Sequence, residues 1–115
     1  MKTNINTTNS FLKQAKKLVK KYKSLKNELE NLEIELKRKP QMGVPLGNNS
    51  FKIRFALKSK GKGKRGGLRI LTYLDVIIYK DEIVNDLYLL SIYDKSQITS
   101  ISEKEMLNLI NQIRN

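Results

Sequence analysis

The sequence predicts an α+β domain: an antiparallel sheet of three to four strands packed against an N-terminal helical hairpin, followed by a C-terminal helix. Three observations predict it. Apolar residues recur at helical spacing up to Pro40, oily and cationic side chains alternate from Phe51 to Lys58, and a capping box at Ser102 opens a last apolar-striped segment.

In the first helix, Thr8 to Tyr22, Phe11, Ala15, Leu18, Val19 and Tyr22 repeat at helical offsets, with Thr8, Asn9 or Ser10 available as the cap. Lysines fill the rest of its surface. In the second, Leu25, Leu29, Leu32 and Leu36 follow the same rule after Ser24, and Pro40 ends the helix just past Lys39. Glu33 with Lys37 and Glu35 with Lys39 are i, i+4 pairs on a solvated face, a poor setting for carboxylate catalysis.

Gln41 to Ser50 turns to Gly, Pro and Asn and reads as a loop. Phe51, Ile53, Phe55 and Leu57 then alternate with Lys52, Arg54, Ala56 and Lys58, as expected for a strand with one oily and one cationic face. The stretch Ser59-Lys-Gly-Lys-Gly-Lys-Arg-Gly-Gly67 carries too little apolar surface to bury and reads as a hairpin connection. A second strand is expected from about Leu68 to Tyr79, a turn over Lys80 to Asp86, and a third strand from Leu87 to Asp94. Ser102 with Glu105 caps the last helix, whose stripe is Met106, Leu107, Ile110 and Ile113. A short further strand before residue 8 is compatible with this plan. The helices are expected to cover one face of the sheet, and the whole chain, 1–115, forms a single domain.

The charge is lopsided. Lys and Arg number 23 against 11 Asp and Glu, for a net charge of +12. Residues 1 to 69 carry +15 and residues 70 to 115 carry −3. Each cation that meets a phosphate releases condensed counterions, so a polyanionic partner is the leading inference, against the blander reading of a merely soluble basic surface. The absence of Cys and His removes disulfides, thiolate metal sites and the commonest nitrogen ligand, and no metal or cofactor is expected. The N-terminus lacks a signal-peptide core, and the apolar stretch Leu68 to Tyr79 is short and interrupted by Asp75, so a cytoplasmic protein without a membrane partner is expected.

The polyanion belongs at Lys52 to Arg69, which holds eight basic residues and no acidic one. Tyr73, Tyr79, Tyr88 and Tyr93 are available to stack on bases, Tyr93 foremost, although tyrosines at strand spacing more often serve the sheet. The Gly-Lys pairs do not form a phosphate-binding loop of the NTPase kind, because no Ser or Thr follows the lysines and a strand, not a helix, comes next.

Four segments carry a family resemblance: Phe11-Leu-Lys-Gln-Ala-Lys-Lys-Leu-Val-Lys-Lys-Tyr22, Phe51-Lys-Ile-Arg-Phe-Ala56, Ser59-Lys-Gly-Lys-Gly-Lys-Arg-Gly-Gly-Leu-Arg-Ile70 and Leu89-Leu-Ser-Ile-Tyr-Asp-Lys95. In sequential order they resemble the RelE/HigB-like toxins of bacterial type II toxin-antitoxin systems, with the third segment closest to the HigB-type branch of the RelE/ParE superfamily. That resemblance implies a RelE-like fold and a ribosome-dependent mRNA endoribonuclease, an mRNA interferase that inhibits translation. Its partners would be mRNA in the ribosomal A site, rRNA and a cognate antitoxin.

Carried over to this chain, the family's mRNA-binding and cleaving positions correspond to Lys52, Arg54, Arg69 and Lys95. The implied reaction is metal-independent attack of the ribose 2'-oxygen on the adjacent phosphate, leaving a 2',3'-cyclic phosphate. With no His, Lys52 is the candidate base. Arg54 and Arg69 suit bidentate stabilisation of the phosphorane, and Lys95 or Tyr93 the protonation of the leaving group. Lys58, Lys60, Lys62, Lys64 and Arg65 are expected to grip RNA backbone without doing chemistry. Two competitors share these features: a ParE-like gyrase inhibitor on the same fold, and a noncatalytic RNA-binding protein.

Overall fold

The computed structural model describes residues 2–57, 67–97 and 101–114. Its elements in chain order are β1 (Lys2–Thr7), α1 (Asn9–Lys21), α2 (Leu25–Arg38), β2 (Val44–Gly47), β3 (Ser50–Phe55), β4 (Leu68–Tyr79), β5 (Glu82–Asp94) and α3 (Glu103–Arg114). The strands form one mixed sheet in the order β1-β5-β4-β3-β2, with β1 parallel to β5 and the other neighbours antiparallel. The α+β class holds.

Several expectations are corrected. The sheet has five strands rather than three or four, and one of its pairings is parallel. The segment read as a loop at 41–50 contains β2, a short edge strand. It reaches β3 through Asn48 and Asn49, both at positive φ (54° and 58°), the signature of a two-residue type I′ hairpin. The turn expected over Lys80 to Asp86 shrinks to Lys80 and Asp81, again both at positive φ, so β5 starts at Glu82.

The helices do not share a face. Phe11, Ala15 and Tyr22 of α1 and its cap join Leu25, Leu32 and Leu36 of α2 over Ile53, Ile70, Leu74, Leu87, Leu89 and Ile92. Met106 and Ile110 of α3 pack instead on Leu71, Tyr73, Leu90 and Tyr93. Neighbouring strand residues point to opposite faces, so each face of β4 has its own helical cover. A bulge opposite Leu71 and Thr72 lets β5 serve both layers. It leaves Leu90 as the extra residue and keeps Leu89 and Ile92 on one face despite an offset of three.

The caps follow the sequence. Thr8 Oγ1 accepts from the Phe11 amide (3.1 Å) and donates to the Leu90 carbonyl (3.0 Å), tying the start of α1 to β5. Ser102 and Glu105 close the capping box at the start of α3.

Beyond Leu89, β5 has no β1 neighbour, and α1 serves the exposed edge. Gln14 Oε1 accepts from the Ile92 amide (3.0 Å) and from Ser91 Oγ (2.9 Å). A side chain thus supplies the acceptor that a strand would have offered. Replacing Gln14 with Ala removes the side-chain acceptor of the part-buried Ile92 amide, and we expect a loss of about 1–3 kcal/mol of unfolding free energy in urea titrations. Lys13→Ala, on the exposed side of the same turn, should be within about 0.5 kcal/mol of the parent.

Candidate nucleic-acid interface

β3 and β4 pair so that Arg54 lies directly opposite Arg69, and β4 and β5 pair so that Arg69 lies directly opposite Tyr93. Residues opposite one another in a sheet share a face. Arg54, Arg69 and Tyr93 therefore form one row across three strands, on the side that α3 covers, with Lys52 two residues further along β3 on the same side. Leu74 donates its amide to the Asn49 carbonyl, which fixes the phase of the β4 ladder toward β3. In that phase Arg54 and Arg69 form a non-hydrogen-bonded pair, the kind whose Cα atoms approach to about 4.5 Å and whose side chains lie closest.

Gly67 sets up this pairing. A Cβ there would stand 2.3 Å from the Phe55 carbonyl oxygen, so only glycine lets the start of β4 come this close to the end of β3. The Lys95 amide also reaches the Gly67 carbonyl, at 3.4 Å, bringing the segment after β5 to the same end of the sheet.

The row is graded from solvent to interior. Arg54 is exposed, Lys52 is half-buried, and Lys95 is exposed in the turn after β5. Arg69 retains only 3% of its exposure and donates from Nη1 to the Leu68 carbonyl at 3.1 Å. Tyr93 retains 4%, with its ring among Leu71, Leu90, Met106 and Ile110. The expectation that Tyr93 leads in base stacking therefore fails: its ring faces belong to the α3 core. Tyr73 is buried in the same layer, 6.3 Å from the ring of Tyr88, and Tyr79 stands exposed at the far end of β4. Burial pushes the Tyr93 phenol above its ordinary pKa, against a smaller opposing pull from the Arg69 charge, which leaves a protonated hydroxyl at neutral pH.

Lys58, Lys60, Lys62, Lys64 and Arg65 lie outside the described residues. Among the described ones, Arg54 also borders a groove of about 360 Å³ between α2 and the edge of β3, whose other lining includes Glu28, Asn31 and Glu35.

Two residues that sequence reasoning passed over hold the site end in place. Asp94, buried opposite Leu68, accepts from Tyr22 Oη at 3.0 Å through Oδ2, locking the end of α1 to the end of β5. Its Oδ1 accepts from the Ser96 amide (2.9 Å) and hydroxyl (2.8 Å), an Asx turn that fixes the loop carrying Lys95. An Asp followed two positions later by Ser, just past an apolar strand, was the available signal. Its buried partner, 72 residues away, left none.

No protein-family model matches the chain, and no solved structure shows a significant match to it. The functional reading therefore rests on the residues and their arrangement.

Because folding holds the Tyr93 phenol in its neutral form, its stabilising contribution is complete below about pH 10 and is lost as pH rises through the raised, folded-state pKa. Urea unfolding across that alkaline range should show a stability decline that is shallower in Tyr93→Phe than in the parent.

Proposed function

We propose that this chain is the toxin of a type II toxin-antitoxin pair, a RelE/HigB-like, metal-independent endoribonuclease that cuts mRNA in the ribosomal A site. The observation that carries the proposal is the row of Arg54 and Arg69 on one sheet face, with Lys52 beside it and Lys95 at the same end. Two guanidinium groups directly opposite in a sheet can share an anion, each offering it paired N–H donors.

In this reading the ribose 2'-oxygen attacks the adjacent phosphorus and gives its proton to Lys52. The P–O5' bond breaks, and the 5'-oxygen leaves with a proton from Lys95, yielding a 2',3'-cyclic phosphate and a 5'-hydroxyl end. Arg54 and Arg69 hold the non-bridging oxygens as negative charge builds on the phosphorane. Exposed at the site end, Lys95 suits the acid role better than Tyr93, whose hydroxyl belongs to a ring buried under α3. So sparse a catalytic set gains most from a substrate whose geometry is already held, which is what a codon fixed in the ribosome offers. The basic segment 58–66 would grip rRNA or mRNA backbone, and a cognate antitoxin with acidic character would cover the same surface. The RelE-like fold, the HigB-type branch and a cytoplasmic site of action belong to this proposal. No described helix is long and apolar enough to cross a membrane.

Inducing the chain in cells and mapping mRNA 5' ends by primer extension should reveal cuts inside translated reading frames that vanish when translation initiation is blocked. Arg54→Ala, exposed and so tolerated by the fold, should reduce cutting by about 100-fold or more while weakening RNA binding only severalfold, the split expected of a group acting on the transition state. Intact transcripts accompanied by DNA breaks would favour gyrase poisoning. Parallel losses of binding and cutting would favour a phosphate grip without chemistry.

A further inference from the structure

We propose that the outer half of the β4–β5 hairpin is a self-association surface through which two copies of this chain pair β4 with β4, antiparallel, about a two-fold axis at Ile77. β3 accompanies β4 only as far as Tyr73, and the Leu74 amide bonds to Asn49 in the turn before β3. From Asp75 to Tyr79 the strand continues with β5 on one side and no described neighbour on the other. Alternation along the strand carries the outward direction of the Leu74 amide on to Val76 and Ile78. Their N–H and C=O groups form the unpaired edge.

This edge is also apolar on both faces. Val76, Ile77, Ile78, Tyr79 and, on the neighbouring strand, Ile83 are all exposed, Ile78 to 73% and Tyr79 to 65%. A long β-branched edge of this kind is a template for another strand, and single-chain proteins usually blunt such edges with charge or proline. β1, at the far edge of the sheet, is by contrast polar, with Thr and Asn around Ile5.

The edge is complementary to itself. Antiparallel pairing centred on Ile77 sets Val76 of one copy against Ile78 of the other, the residues whose amides and carbonyls face outward, so each pair exchanges both its hydrogen bonds. The same register sets Asp75 against Tyr79 of the second copy. Lys80 Nζ already rests 5.3 Å from the centre of the Tyr79 ring, so the ammonium of one copy meets the carboxylate of the other at both ends of the junction. A shift by one residue would lose the bond pairing and this charge match together.

Overall charge permits the contact. The basic bodies repel, but Arg69 lies eight residues from the axis along β4, so the two rows would stand roughly 50 Å apart, several Debye lengths at physiological salt. One strand pair buries less than a standard interface, so the dimer should be of the weak, concentration-dependent class. The inference does not depend on the nuclease reading.

Sedimentation velocity on the full chain, from about 10 μM to about 1 mM, should show a monomer–dimer equilibrium. Ile77→Lys places two like charges face to face at the axis and should weaken association about tenfold or more, as should Ile77→Glu. Mixing the two variants should restore dimerisation, because Lys then faces Glu. The exposed position leaves each monomer's fold intact, which far-UV circular dichroism checks. A parent that stays monomeric at the highest concentration, a Lys variant that dimerises like the parent, or a mixture that remains monomeric would each overturn the proposal.

Discussion

The register of β4 between its two antiparallel partners is the constraint on which the rest depends. Ladder hydrogen bonds fix which residues face each other, and a slip of one residue would turn Arg69 toward the helical hairpin and Ile70 toward α3. Two apolar layers make that slip costly. Ile53, Ile70 and Ile92 lie side by side under α1 and α2, and Leu71 and Tyr93 lie under α3. Burial of its neighbours thus helps to hold the cationic row in place, and Gly67 permits the close strand approach that aligns it.

The molecule separates its charge along β4. Its basic residues concentrate before Ile70, and the site end is braced by the buried Asp94, whose bonds to Tyr22 and Ser96 tie α1, β5 and the Lys95 turn together. The other end of the same strand is nearly free of basic residues and offers an apolar edge. One twelve-residue strand, spanning about 40 Å, accounts for much of the 47 Å long dimension and keeps the two surfaces well apart. The proposed polyanion site at one end and the proposed pairing edge at the other therefore share no residues.

Much of this was legible locally. Helical spacing and caps placed α1, α2 and α3 to within a residue or two, because Thr8, Pro40 and the Ser102–Glu105 box act on near neighbours. Alternation placed β3, and an apolar run placed β4 from Leu68 to Tyr79. What escaped was non-local or masked by composition. β1 was allowed for before residue 8, but not its parallel pairing with β5, which includes the bond from Asn4 Nδ2 to Asp86 Oδ1 and sustains a mostly polar strand. β2 contains Pro45 and Gly47, tolerated because it is an edge strand. The first residues of β5 set only Ile83 and Val84 among Glu82, Asn85 and Asp86, and so read as turn. The bulge at Leu90 broke the two-residue period, which hid that helices cover both faces. For the site, the resemblance pointed to Lys52, Arg54, Arg69 and Lys95, with Tyr93 beside them, but the burial of Arg69 and Tyr93 followed from where α3 lands, which no local pattern encodes.

The central claim is that Arg54 and Arg69 act on one phosphate. A double-mutant cycle tests it most directly: single-turnover cleavage of ribosome-bound mRNA by the parent, Arg54→Gln, Arg69→Gln and the double variant, with each fold verified by its thermal melt. Two groups gripping the same phosphorane should be strongly non-additive, with a coupling energy of about 1 kcal/mol or more. Effects that add to within about 0.5 kcal/mol would mean that the two guanidinium groups serve separate places, and would contradict the account.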